Sequence, residues 1–201
     1  MKCRFSEKFY EILFDNELIN MLSKPFVYIP SQRVEKDVAY DAIFGVSKKK
    51  VLFIQFKVPY TSNKKNNDFR FELHKNKKGD FVQHNKLCKY NSLSKKVIAV
   101  YCAPLFTTYT DLMTNYSTSK IIHNSIMLIP KKKHILPNGG FHYIKYSATK
   151  AAMYSEDGIG IELESIQSII QQLEPIDCES FKKEIDGLDP ASINGCFAFF
   201  E

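Results

Sequence analysis

The sequence contains no tryptophan. It also lacks any apolar run near the roughly 20 residues that a membrane span requires. Its first 21 residues carry Glu7, Lys8, Glu11, Asp15 and Glu17, so neither a signal peptide nor a membrane span is expected there. A soluble cytoplasmic protein without membrane contact is expected. Cys3, Cys88, Cys102, Cys178 and Cys196 are scattered and form no Cys-x-x-Cys pair, so neither a disulfide framework nor a zinc site is expected. The five histidines are equally dispersed. Gly139-Gly140 lacks the Gly-x-x-x-x-Gly-Lys frame of a phosphate loop.

Acidic residues are scarce over most of the chain. Residues 1–150 hold 26 Lys and Arg against 11 Asp and Glu, a net of +15, whereas residues 151–201 hold 2 against 11, a net of −9. The chain divides by charge into a basic body, 1–150, and an acidic helical extension, 151–201, expected to pack on the same domain. A basic body suits a polyanion, because Lys and Arg contacts to phosphate supply most sequence-independent affinity for nucleic acid. A lysine-rich solvated surface is the alternative reading.

What is present is organised around Tyr40-Asp41-Ala42, the basic turn Lys48-Lys49-Lys50, and Leu52-Phe53-Ile54-Gln55-Phe56-Lys57. These read as two strands joined by a tight turn. Residues two apart on a strand share a face, so Gln55 and Lys57 project together and Leu52, Ile54 and Phe56 take the apolar side. A turn centred on Ser47 and Lys48 sets Asp41 opposite Gln55, and a shift of one residue sends Asp41 to the wrong face.

Asp41 followed by Gln55-Phe56-Lys57 resembles the signature of the PD-(D/E)XK nuclease superfamily, an acid on one core strand and Asp/Glu-x-Lys on the next. Glutamine stands where a carboxylate is usual, as in some Mrr-like restriction endonucleases. The resemblance implies an αβββαβ core, a mixed central sheet flanked by helices. Extra strands and the acidic helical segment would extend it.

The chain in order is compatible with that core. Residues 5–22 read as a helix with Ser6 as N-cap, stopped by Pro25. On it Glu11 is either a contributor to the site or a solvated carboxylate. Residues 26–29 read as a strand. Glu35, six residues before Asp41, either adds charge to the site or pairs with Arg33 or Lys36. After Pro59, a stretch containing Lys64 and Lys65, then an alternating strand at 69–73, read as a basic flap overhanging Lys57. Residues 81–93 read as a helix, with Gln83 a site candidate, Lys86 beside it and His84 a packed histidine. Val97 to Ala103 is a continuous apolar run, as in a strand buried on both faces. Strands at 121–129 and 141–146 flank the Lys131-Lys132-Lys133 turn, and residues 160–174 read as an amphipathic helix before Pro175.

The resemblance implies hydrolysis of DNA phosphodiesters with Mg²⁺ or Mn²⁺, in restriction or phage defence. Asp41, Gln55 and Glu35 would hold the metal, and Lys57 and Gln83 would complete the catalytic set. Lys48, Lys49, Lys50, Lys64, Lys65, Lys86, Lys131, Lys132 and Lys133 are the candidate phosphate contacts. The alternative is an inactive nuclease-fold module that binds nucleic acid or a protein partner, with the acidic C-terminus as guard or interaction segment.

Overall fold

The computed structural model describes residues 3–22, 26–30, 39–45, 51–63, 68–93, 97–137, 139–154, 158–172 and 197–199. Helix α1 (Glu7–Met21) starts where the Ser6 hydroxyl accepts a hydrogen bond from the Phe9 amide at 3.1 Å, satisfying one otherwise unpaired donor of the first turn. Strands β1 (Phe26–Tyr28), β2 (Ala42–Gly45) and β3 (Val51–Phe56) form an antiparallel meander. β4 (Tyr60–Asn63) and β5 (Asp68–Glu72) make a hairpin. Helix α2 (Val82–Leu93) then crosses over, so that β6 (Val97–Pro104) lies parallel to β3. Next come α3 (Tyr109–Ser117), β7 (Ser125–Ile129), a 3-10 turn at Lys132–His134, β8 (Tyr143–Tyr146), β9 (Ala151–Tyr154) and β10 (Gly158–Glu164). Helix α4 (Ile166–Gln172) and β11 (Phe197–Phe199) complete the described elements.

The strand order is β11-β1-β2-β3-β6-β7-β10-β9-β8-β5-β4. The fold is therefore mixed α/β, with β3–β6 the parallel pair among the described strands. β10 serves two partners: Glu162–Glu164 pair with β7, and Gly158–Ile161 pair with β9. The five strands β10-β9-β8-β5-β4 are antiparallel and turn back over the first part of the sheet. Their inner residues Phe69, Phe71, Ile144, Tyr146 and Met153 share one core with Tyr40, Phe53, Tyr101 and Leu87. Phe71 and Tyr101 lie 5.4 Å apart across it, and the Tyr146 hydroxyl donates to the Pro104 carbonyl at 2.9 Å. On the opposite face Leu13, Phe14 and Leu18 of α1, Leu112 of α3 and Ile166 and Ile169 of α4 cover Ala42, Leu52, Ile54 and Phe56.

Several expectations are corrected. β3 has no polar face: Val51 and Phe53 are as buried as Leu52, Ile54 and Phe56, because helices cover one side and α2 with the second sheet cover the other. The segment after Lys57 is not an overhanging flap. β5 pairs with β8, and Phe69 and Phe71 are buried. The helix expected over 160–174 is a strand through Glu164 followed by a short helix from Ile166. Gly-Ile-Gly-Ile-Glu-Leu-Glu alternates with a period of two, its glycines disfavour helix, and pairing on both sides satisfies its backbone. β9 was not foreseen, and β7 starts at Ser125 rather than Ile121 because residues 121–124 form a turn. Residues 173–196, which hold most of the acidic tail, lie outside the described residues. Among the described residues no helix is long and apolar enough to cross a membrane.

Candidate functional site

The pairing of β2 with β3 sets Ala42 opposite Ile54 and Gly45 opposite Val51. The regular ladder ends there: the Asp41 amide donates to the Ile54 carbonyl at 2.8 Å, one residue out of that register, so Asp41 is not paired opposite Gln55 as expected but reaches it through its side chain. The Asp41 carboxylate takes two hydrogen bonds on Oδ2, from the Gln55 amide nitrogen at 2.5 Å and from the Phe56 backbone amide at 2.7 Å. Asp41, Gln55 and Lys57 are all buried. Lys57 begins where β3 ends, tied to β6 by its amide, which donates to the Cys102 carbonyl at 2.9 Å. Its ammonium lies 3.7 Å from a Glu7 carboxylate oxygen, and the other Glu7 oxygen accepts from the Val58 amide at 3.2 Å.

Helix α1 thus brings carboxylates to the end of β3. Glu7, Glu11 and Asp15 recur every four residues, which places them along one side of the helix. Glu11 is 4% exposed and Asp15 6% exposed, so neither is a solvated surface group. Glu11 accepts from the Lys8 ammonium at 2.5 Å. Burial, then the Glu11 charge, holds the Asp15 carboxyl well above its ordinary range, and Asp15 Oδ1 has no hydrogen-bond partner. Burial also pushes the Asp41 carboxyl up to about 7; Lys57 and the Phe56 amide pull it down, and Glu7 and Glu11 push it up further. The site therefore holds more buried negative charge than Lys57 and Lys8 neutralise, and it takes a proton near neutral pH in compensation.

Among the described residues, no three His, Cys, Asp or Glu side chains converge as a ready-made metal cage. The fit to a metal rests on two oxygens. Gln55 Oε1 is buried without a partner while its amide nitrogen faces Asp41. Turning that amide over exchanges the two atoms, so the same side chain offers oxygen when a cation lies beside Asp41. One carboxylate and one amide oxygen suit Mg²⁺, which keeps several waters and is completed by substrate phosphate rather than by an all-protein cage.

Not every predicted site residue joins this group. Gln83 is half-buried on α2, and no hydrogen bond among the described residues ties it to Asp41, Gln55 or Lys57. Glu35, Lys48, Lys49, Lys50, Lys64 and Lys65 lie outside the described residues. Lys131 forms an ion pair with Glu162 across the β7–β10 region, while Lys132 and Lys133 sit exposed in the 3-10 turn and Lys86 is half-buried on α2. His84 is packed as expected. It stacks on Tyr101, its ring nitrogens lie 3.0 Å from the Tyr101 hydroxyl and 2.7 Å from the His134 carbonyl, and burial lowers its pKa to about 4. Asp15 and Glu7 were missed as site residues. The four-residue spacing with Glu11 is the signal that would have found them.

Surface clefts among the described residues lie beside other side chains. One of about 610 Å³ is lined by Asp68, Phe69, Leu105 and the Ser147–Lys150 turn, and another of about 430 Å³ shares Leu105, Ala148 and Thr149 with it. Leu105 follows β6, whose Cys102 is level with Phe56, so these clefts open toward the same end of the sheet as Lys57. Comparison with protein-family models, with curated proteins and with solved structures finds no match to this chain.

Proposed function

We propose that the chain is a PD-(D/E)XK-like nuclease that hydrolyses DNA phosphodiesters with Mg²⁺ or Mn²⁺, in restriction or phage defence. The observation that carries the reading is the β2–β3 register. It brings the Asp41 carboxylate to the Gln55 amide at 2.5 Å and leaves Lys57 at the strand end, in the order α1, β1, β2, β3, the β4–β5 hairpin, α2 and β6, with β6 parallel to β3. A helix, three antiparallel strands, a crossover helix and a parallel strand is the order that the motif resemblance implies.

When bound, the metal polarises a phosphoryl oxygen and lowers the pKa of an attacking water. Asp41 and the Gln55 amide oxygen would hold it, and Glu7 or Glu11 supplies nearby negative charge. Lys57 exchanges its long contact with Glu7 for the developing negative charge on the phosphate, where a preorganised cation in a water-poor site counts most. Asp41 must be ionised to bind the cation, so activity rises through pH 7 and falls below it.

A second reading has its own observation. The 2.5 Å hydrogen bond from Gln55 to Asp41 closes the pair on itself, as in a nuclease-fold module that binds nucleic acid or a protein without cleaving it.

The test is cleavage of plasmid and single-stranded DNA in Mg²⁺ or Mn²⁺ by the wild type, Asp41→Asn and Lys57→Ala. Metal-dependent cutting lost in both variants supports the nuclease. No cutting by the wild type, with salt-sensitive DNA binding retained by all three, supports the binding module.

A further inference from the structure

The second sheet has an outer face that the hydrolytic site does not use. Along β8 and β9 the register opposes Tyr143 to Tyr154 and Lys145 to Ala152. The tyrosine rings stack at 5.2 Å with an interplanar angle of 10°. Phe141, 57% exposed, continues the row at 6.0 Å from Tyr143, and the Arg70 guanidinium lies over the Tyr143 ring at 5.5 Å. On the neighbouring strand Gly158 is opposite Tyr154 and Gly160 is opposite Ala152. A Cβ at Gly158 would lie 2.9 Å from the Tyr154 ring, which covers that glycine, whereas a Cβ at Gly160 would meet nothing within 4 Å, so the open floor is at Gly160.

Cations stand at both ends of the row. The exposed turn carrying Lys75, Lys77 and Lys78 is fastened to the strand before Phe141: the Lys75 ammonium donates to the Gly140 carbonyl at 2.9 Å, and the Gly139 amide donates to Gly79 at 3.0 Å. Lys150 is exposed at the other end, in the β8–β9 turn. Lys145, between them, pairs with Asp68 at 2.8 Å, and Glu72 stands opposite Tyr143 on β5, so the row itself carries acid as well as base and the exposed lysines lie at its ends. From Phe141 to the turn at Ser147 is six residues, roughly 20 Å at about 3.3 Å each.

We propose that this face is a stacking platform for single-stranded nucleic acid. Phe141 and the half-exposed Tyr143–Tyr154 pair receive unpaired bases, Gly160 gives the chain room to lie flat, and the lysines at the two ends hold its phosphates. Stacking on aromatic rings is available to any base and is unavailable to a closed duplex, whose bases are already stacked, so the platform selects strandedness rather than sequence. It goes beyond the nuclease reading and stands without it, because none of its residues belongs to the Asp41 site.

The test is binding of the full chain to fluorescein-labelled dT12, rU12 and a 12-base-pair duplex in EDTA, followed by anisotropy. Wild type is expected to bind a single strand more tightly than the duplex. A Tyr143→Leu, Tyr154→Leu variant keeps apolar bulk on the strands and should bind the single strands at least about tenfold more weakly, with little change for the duplex. Lys75→Ala, Lys77→Ala, Lys78→Ala should weaken all three probes and flatten the salt dependence. The relative affinities of dT12 and rU12 report whether DNA or RNA is preferred. Unchanged single-strand binding by a folded Tyr→Leu variant, or preference of the wild type for duplex, overturns the proposal. Should that variant not fold, photocrosslinking of wild type to a bromouracil strand decides it: crosslinks within residues 141–154 support the platform, and their absence there overturns it.

Discussion

Asp41 is the residue on which the proposed chemistry turns, and its protonation has a consequence for stability. Its carboxyl titrates near pH 4 in an unfolded chain and about 7 in the fold. Between those values the folded state holds a proton that the unfolded state has lost, so stability falls as pH rises from about 4 to 7 and levels off above. Asp15, raised in the same direction by burial and Glu11, adds to the slope. Asp41→Asn is therefore expected to melt at a higher temperature than wild type at pH 8, with the difference shrinking toward pH 4; thermal melts at the two pH values check this. Mn²⁺ should raise the wild-type melting temperature at pH 8 and leave that of Asp41→Asn unmoved, because a ligand stabilises only the state that binds it. The proximity of Asp41 to Gln55 was legible in the sequence, since two adjacent antiparallel strands bring them together, although the backbone register at Asp41 differs by one residue from the expectation. The burial of Glu11 and Asp15 was not. A carboxylate on a helix is usually solvated, and the crowding that makes these two exceptional comes from strands distant in sequence.

Among elements, α1 is held by more than its apolar side. The Glu17 carboxylate accepts from the Ile121 amide at 3.0 Å and the Ile122 amide at 3.3 Å, capping the turn that leads into β7. Both partners are buried, so Glu17→Ala leaves two amides without acceptors and should cost about 2–4 kcal/mol, measured by urea unfolding. Ser6→Ala at the start of the same helix should cost about 1 kcal/mol by the same measurement. Helices α1 and α2 and the central strands were readable because their periodicity and capping signals agree, as at Ser6. In the second sheet β5 and β8 were readable as strands, and β4 and β9 were not. Tyr60 to Asn63 has few apolar residues, and it becomes a strand through backbone pairing with β5, which no local pattern announces. At residues 160–164 an isoleucine spacing compatible with a helix lost to pairing on both sides of the strand.

For the whole molecule the decisive element is β10, which joins two sheets through a single strand. Ile161 sits at the junction, 6% exposed in the core between them. Ile161→Ala should cost about 2–5 kcal/mol and lower the stability of both sheets together. Hydrogen exchange should then show amides of β8 and of β6 losing protection in parallel; a loss confined to β8 and β9 would mean that the two sheets unfold separately. The charge division read from the sequence leaves its mark here, since the acidic Glu162 on β10 meets Lys131 of the basic body.

The pairing of β5 with β8 also bears on how such a chain could change over descent. The β4–β5 hairpin interrupts the chain between β3 and α2, and β8–β9 interrupts it between β7 and β10, yet each supplies the neighbour the other needs. A lone two-stranded hairpin is marginal in water. Loss of residues 60–72 would uncover the β8 edge and the inward side of Tyr146, and loss of 141–154 would strand Phe69 and Phe71 in solvent. The two interruptions form one structural unit: a deletion of either alone leaves a sheet with an unpaired, apolar edge, and a deletion of both uncovers Phe53 and Tyr101 of the central strands.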